Sequence, residues 1–242
     1  MNVKRVIFYS EGFRLVGNLH KPHKRAPCII GLHGLESDKD SGKWPVMAEA
    51  FCKAGFAFLR FNFRGCGHGS EKSEGNFEDT CLTTRIADYR AAVKFLAENG
   101  GIDLYRIGAV GSSFGGMIAI AAQEKTVKAL TTLAAPYTMP AISRVNGEYL
   151  ILPSGNRLKK SFYEDLSRYD LLEVISRAPP ILIIHGSHDQ IVPVEHALRL
   201  YEHTPALKKL EIVAGADHVF SKQEHLNRVI NLSVEWFKKC MR

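Results

Sequence analysis

The stretch Arg106-Ile107-Gly108-Ala109-Val110-Gly111-Ser112-Ser113-Phe114-Gly115-Gly116 runs from a β-prone apolar segment, through two serines set among glycines, into an apolar segment of helical character. Arg106 to Val110 reads as a strand and Phe114 to Gln123 as a helix, so G-x-S-x-G falls at a strand-to-helix turn. A serine held in a strained conformation at so sharp a turn needs neighbours without side chains two residues before and two after it. Gly111 and Gly115 meet that need for Ser113, whereas Ser112 is flanked at the same distances by Val110 and Phe114. Ser113 is therefore the candidate nucleophile. A competing reading is a glycine-rich turn that holds a phosphate at the helix N-terminus.

Around this turn, short β-rich runs alternate with segments of helical period, the pattern of a largely parallel sheet covered by helices. Val3 to Tyr9 and Arg14 to His20 flank the turn-forming Ser10-Glu11-Gly12 and read as an antiparallel hairpin. Cys28 to Leu32, a helix near Gly42 to Ala54, and the apolar run Phe56 to Phe63 follow. Leu82, Ile86, Tyr89, Val93 and Leu96 recur at spacings of 4, 3, 4 and 3, which predicts a helix over Asp79 to Asn99 that ends at Asn99-Gly100-Gly101. Strands at Val127 to Ala134, Ile181 to His185 and Leu210 to Val213, with helices near Pro193 to His203 and Lys222 to Lys239, complete a single α/β domain over residues 1–242. The rhythm breaks between Pro136 and Pro180. There, short apolar clusters and the turn signal Pro153-Ser154-Gly155-Asn156 predict small elements, including a hairpin, packed over the sheet as a lid at 136–180.

Composition narrows the class. The chain has 242 residues, 45% hydrophobic and 24% charged, and its 32 Lys+Arg against 25 Asp+Glu leave a net charge of +7. That apolar content excludes a disordered chain, and the length suffices to bury a core without disulfide staples. The basic clusters are short and far apart, which argues for a solvated basic surface and against nucleic acid as a partner. Met1 to Gly17 lacks an apolar signal-peptide core, and the longest uncharged stretch, Ile107 to Gln123, carries four glycines, so neither a secretory signal nor a membrane span is expected. The five cysteines are scattered, with no C-x-x-C pair, and read as reduced thiols of a cytoplasmic protein.

A serine hydroxyl is a weak nucleophile and needs a base within hydrogen-bond reach, itself oriented by an acid. After the strand Ile181 to His185 comes Gly186-Ser187-His188-Asp189, and after Leu210 to Val213 comes Ala214-Gly215-Ala216-Asp217-His218. Asp189 and His218 thus fall on loops at the same C-terminal sheet edge as Ser113, in the order Ser, Asp, His. The Phe114 N–H is the first candidate donor to an oxyanion. His185-x-x-His188 and His20-x-x-His23 lack the helical i, i+4 spacing of a zinc peptidase, and Arg64-Gly65-Cys66-Gly67-His68-Gly69 lacks a P-loop ending, so no metal and no cofactor is expected.

Four motifs, His33-Gly34-Leu35, Arg64-Gly65-Cys66-Gly67-His68-Gly69-Ser70, the serine turn, and the Asp189 and His218 loops, resemble the α/β-hydrolase superfamily. The likeness is to small lid-bearing esterases of the serine-aminopeptidase-like and feruloyl-esterase-like groups. It implies an eight-stranded, mostly parallel sheet with helices on both faces and a lid inserted after strand six. It also implies that the Leu35 N–H is the second oxyanion donor, with Gly34 allowing close approach and His33 structural. Many relatives carry His where this chain has Ser112. The expected activity is hydrolysis of short-to-medium acyl or aromatic esters through an acyl-enzyme. Amide or thioester hydrolysis and monoacylglycerol lipolysis are the alternatives, and a non-catalytic ligand-binding module is disfavoured by the intact triad. Tyr137, Met139, Tyr149, Phe162 and Tyr163 are candidates for the substrate pocket, or for the lid's own core. A small-molecule ester is the expected partner, and a homodimer is the one assembly left open.

Overall fold

Eight strands form one sheet because most of them are apolar enough to be covered on both faces. The computed structural model describes residues 2–99, 101–140, 144–205 and 207–242. The strands β1 (Asn2–Ser10), β2 (Phe13–Lys21), β3 (Ala26–Leu32), β4 (Ala57–Phe61), β5 (Ile102–Ser112), β6 (Val127–Leu133), β10 (Ile181–Gly186) and β11 (Lys208–Val213) lie in the order β1-β2-β4-β3-β5-β6-β10-β11. The hairpin β1–β2 is antiparallel and joins β4 antiparallel, while β4, β3, β5, β6, β10 and β11 pair in parallel.

Helices cover both faces. On one, α1 (Lys43–Lys53) and α7 (Gln223–Cys240) bring Trp44, Phe51, Trp236 and Phe237 against Ile29, Phe58 and Leu182. On the other, α2 (Leu82–Asn99), α3 (Phe114–Ala121) and α6 (Glu195–His203) pack on Ile30, Leu59, Phe61 and Ile183. Strand order reverses at β3 and β5, so their C-terminal ends open a crevice, and it is there that α/β sheets gather ligands. This is the α/β-hydrolase fold.

Two boundaries differ from the sequence expectation by more than two residues, each for a local reason. β5 begins at Ile102, four residues before the predicted start. Ile102 and Asp103 pair with Ala26 and Pro27 of β3, and the register then shifts so that Cys28 meets Ile107; Asp103, accepting from the Tyr105 N–H and Arg106 Nε, holds the bulge that separates this start from the apolar run. α2 begins at Leu82, after a 3₁₀ turn at Phe77–Asp79, because Thr84 Oγ1 accepts from the Cys81 N–H and sets the first turn there.

Residues 136–180 contain β7 (Val145–Asn146), β8 (Tyr149–Ile151) and β9 (Arg157–Lys159) as a small antiparallel sheet, then α4 (Ser161–Leu166) and α5 (Leu171–Val174). The predicted hairpin across Pro153 to Asn156 is the β8–β9 pair. Leu150, Leu158, Phe162, Leu171 and Ile175 are buried in the same core as α2 and α3, so this segment packs as part of the body. Polar clasps hold it as well. Asp165 accepts from the Thr83 N–H at 2.9 Å, Glu36 accepts from Ser154 and from Asn156 Nδ2, and Arg157 and Lys159 pair with Glu78 and Asp79.

Candidate active site

The chain enters α3 through Ser113 at φ 54°, ψ −122°, a conformation L-residues avoid unless the surroundings impose it. The imposing contacts are visible. Ser113 N–H donates to Leu133 O at 2.8 Å, and Gly116 N–H donates to Ser113 O at 2.8 Å. A Cβ on Gly111 would sit 2.3 Å from Gly115 O, and one on Gly115 would sit 2.0 Å from Leu32 O. Neither glycine can be replaced without opening the turn. Ser113 is half-buried, whereas Ser112 is buried and its Oγ accepts from Lys43 Nζ at 3.1 Å. The two serines therefore have different tasks.

Backbone hydrogen bonds lace the neighbouring strand ends together: Ala134 N–H to Ile184 O, Ser187 N–H to Val213 O and His188 N–H to Ala216 O. Gly186 is required where the last two loops touch, since a Cβ there would lie 2.3 Å from Ala216 O. On these loops His218 Nδ1 and Asp189 Oδ2 stand 2.7 Å apart. The Asp189 side chain is fully buried, with Oδ1 accepting from the Ile191 and Val192 N–H groups at 2.9 and 2.8 Å. Burial alone would raise its pKa, but donation by His185, His218 and the two backbone amides outweighs that and holds the carboxyl well below the usual range. An ionised Asp189 makes Nδ1 the protonated nitrogen of neutral His218, leaving Nε2 as the basic lone pair.

The loop after β3 runs beside the nucleophile. A Cβ on Gly34 would lie 3.5 Å from Ser112 O and from Ser113 Cβ, which is ordinary contact, so the approach is close without demanding glycine. His33 is buried, lies edge-on to Phe63, donates from Nδ1 to Gly34 O at 2.8 Å, and accepts from the Phe63 N–H at Nε2. Desolvation, and then the charge of Arg85, push its pKa down to about 3, so it stays neutral and structural. Leu35 is half-buried on this loop, and its carbonyl accepts from Arg85 Nη2 at 3.3 Å.

Sequence reasoning missed three residues here. Arg85 is fully buried with its guanidinium 4.6 Å over Phe63, and it braces Leu35, Cys66 and Thr80 together. His185 is buried beneath the acid, 3.3 Å from Asp189 Oδ2, and donates to Val192 O at 2.8 Å. Lys43 reaches the residue before the nucleophile. None had a local signal beyond its residue type.

The pocket candidates divide. Phe162 is fully buried, its ring 5.7 Å from that of Phe114, and so belongs to the core under the insertion. Tyr149 is half-buried with Arg157 over its ring on the small sheet. Tyr137 and Met139 are half-buried at the start of the insertion, with the Tyr137 ring tilted 39° against that of His196 and its N–H donating to His196 Nδ1. Tyr163 is half-buried, its hydroxyl donating to Pro140 O. Of the two C-terminal histidines singled out as a pair, His185 is buried and His188 exposed. In the Arg64 to Gly69 loop, a Cβ on Gly65 would lie 2.5 Å from the Asn76 backbone, so this loop closes on protein. Among the described residues no helix is long and apolar enough to cross a membrane.

Residues 45–242 match the prolyl oligopeptidase family. The palmitoyl-protein thioesterase ABHD10, mitochondrial, of Rattus norvegicus is 29% identical over 196 residues, covering 72% of this chain and 62% of that protein. The esterase domain of a Rhodothermus marinus protein superposes with a TM-score of 0.78 at 27% identity, covering 100% of both chains. Est1E of Butyrivibrio proteoclasticus, solved with ferulic acid, superposes with a TM-score of 0.86 at 22% identity over 97% of this chain and 98% of its own.

Proposed function

The chain belongs to the prolyl oligopeptidase family, and on that premise we propose that it is a serine hydrolase cleaving carboxylic esters with short-to-medium acyl or aromatic groups. The observation that carries this reading is the pairing of His218 Nδ1 with buried Asp189 at 2.7 Å, at the same sheet edge as the strained Ser113. Ser113 Oγ attacks the ester carbonyl while His218 Nε2 takes its proton. The oxyanion draws on the Phe114 and Leu35 N–H groups, and His218 returns the proton to the leaving alcohol. Water then repeats the sequence on the acyl-enzyme, releasing acid and free Ser113. Residues 136–180 serve as a lid whose inner residues, Tyr137 and Met139 first among them, shape the acyl site. Arg157 and Lys159 do not select acidic substrates in this reading, because Glu78 and Asp79 already neutralise them.

Two relatives give the alternatives weight: a thioesterase among the similar proteins favours thioesters, and the family's name favours amides. Comparing kcat/KM on matched p-nitrophenyl ester, thioester and anilide substrates separates the three. The ester should lead, and a thioester or anilide preference of tenfold or more would replace this reading. Ser113→Ala should abolish ester turnover, while Ser112→Ala should retain most of it; equal activities in both variants and wild type would discard Ser113.

A further inference from the structure

Lys43 is the first residue of α1, entered through Gly42 at φ 55°, ψ −119°, nearly the same turn that Ser113 makes into α3. The loop before it is locked from within: Ser41 Oγ donates to Asp38 O at 3.0 Å and lies 2.6 Å from Ser37 Oγ, and Asp40 N–H donates to Asp38 Oδ1 at 2.8 Å. The side chain is 9% exposed and its ammonium donates to Ser112 Oγ at 3.1 Å.

This is a costly place for a cation. A helix N-terminus carries partial positive charge, and a buried ammonium loses its hydration. Among the described residues no carboxylate lies within ion-pair distance of Lys43; the charged group whose field acts on it is Asp217, the residue before His218. None of β2, β4 and α7, all packed on α1, presents a charged side chain that acts on it. Desolvation lowers its pKa to about 8, with Asp217 pulling the other way. A methionine would fill this space without the cost, so the charge itself is what the position retains.

We propose that Lys43 is a positioning residue of the active site, its ammonium tying the helix that follows the oxyanion loop to the residue before the nucleophile. It touches neither substrate nor the reacting atoms. This inference rests on the Ser113 reading above. Protonated Lys43 donates a charge-assisted bond to Ser112, which holds α1 and the serine turn in one register. Loss of its proton leaves only a weaker neutral bond, so turnover falls on the alkaline side while ground-state binding is retained.

The experiment measures kcat and KM for a p-nitrophenyl ester from pH 6 to 10 in the full chain, for wild type, Lys43→Met, Lys43→Gln and Asp217→Asn. Labelling of each by a fluorophosphonate and thermal melting accompany the kinetics. Wild-type kcat should fall above about pH 8. Lys43→Met and Lys43→Gln should lose roughly ten- to a hundredfold in kcat at pH 7, with KM within about twofold, and should lack the alkaline step. Asp217→Asn should move the step to lower pH, since the carboxylate that raises the lysine's pKa is gone. Folded Lys43 variants with wild-type kcat and an unmoved alkaline step would overturn the proposal, and if they do not fold, an unmoved step in Asp217→Asn overturns it alone. A wild type that takes up no probe at Ser113 removes this inference together with the reading beneath it. A labelled wild type with unchanged Lys43 variants removes only the inference.

Discussion

Asp189 must stay ionised inside the protein, and four donors converge on it to that end. Its consequence for chemistry is the tautomer of His218, because an anionic acceptor at Nδ1 keeps the basic lone pair at Nε2. Asp189→Asn presents an amide in place of that anion and can stabilise the opposite tautomer. It should lower kcat by about 10³–10⁴ with little change in KM. A loss below tenfold in steady-state assays would show that Asp189 is not the orienting acid. At this scale the sequence was legible in its local geometry, the strained turn at Ser113 between Gly111 and Gly115 and the pairing of Asp189 with His218. It was illegible for Lys43 and Arg85, whose partners Ser112 and Leu35 lie 69 and 50 residues away, so nothing near them in sequence announces the contact.

The elements show why a small three-stranded sheet and two short helices can be held in place against the main body. Phe162 from α4 reaches Phe114, the first residue of α3, so the insertion is braced on the helix that carries the serine turn. Phe162→Ala leaves a cavity in fully buried surroundings and should cost about 3–5 kcal/mol in urea unfolding. A cost under 1 kcal/mol would mean that the insertion packs independently of the body. The aromatic content of residues 136–180 foretold a packed segment, and its turn foretold the β8–β9 hairpin. Which aromatic faces substrate and which faces core depends on contacts with α2 and α3, and helical or strand period in a segment this irregular does not encode them. The start of β5 escaped as well, because a bulge between Asp103 and Ile107 separates it from the apolar run that follows.

Across the whole molecule, stability couples to pH through its buried neutral histidines. His33 titrates near pH 3 when folded, against an ordinary value of 6.5. The folded value is the lower one, so the unfolded chain binds the proton first, and stability present above about pH 6.5 is lost as pH falls toward 3. Between pH 7 and 5 this amounts to about 2 kcal/mol, or roughly 4–8 °C in Tm, for His33 alone, and His33→Gln should remove that share while leaving a comparable one from His20, whose pKa burial pushes down to about 4. An equal fall in wild type and variant would contradict it. The two-faced core follows from the alternation of apolar strands and amphipathic helices, which made an α/β sheet legible before any contact was known, while the α/β-hydrolase fold itself was implied by the resemblance of the four motifs. The proposed activity rests on one bond, the acyl link at Ser113. Reacting the wild-type chain with a fluorophosphonate and mapping the adduct by peptide mass spectrometry tests it most directly. The account predicts a single adduct on the peptide containing Ser113, absent from Ser113→Ala and retained in Ser112→Ala, and an unlabelled wild type or an adduct on any other residue would contradict it.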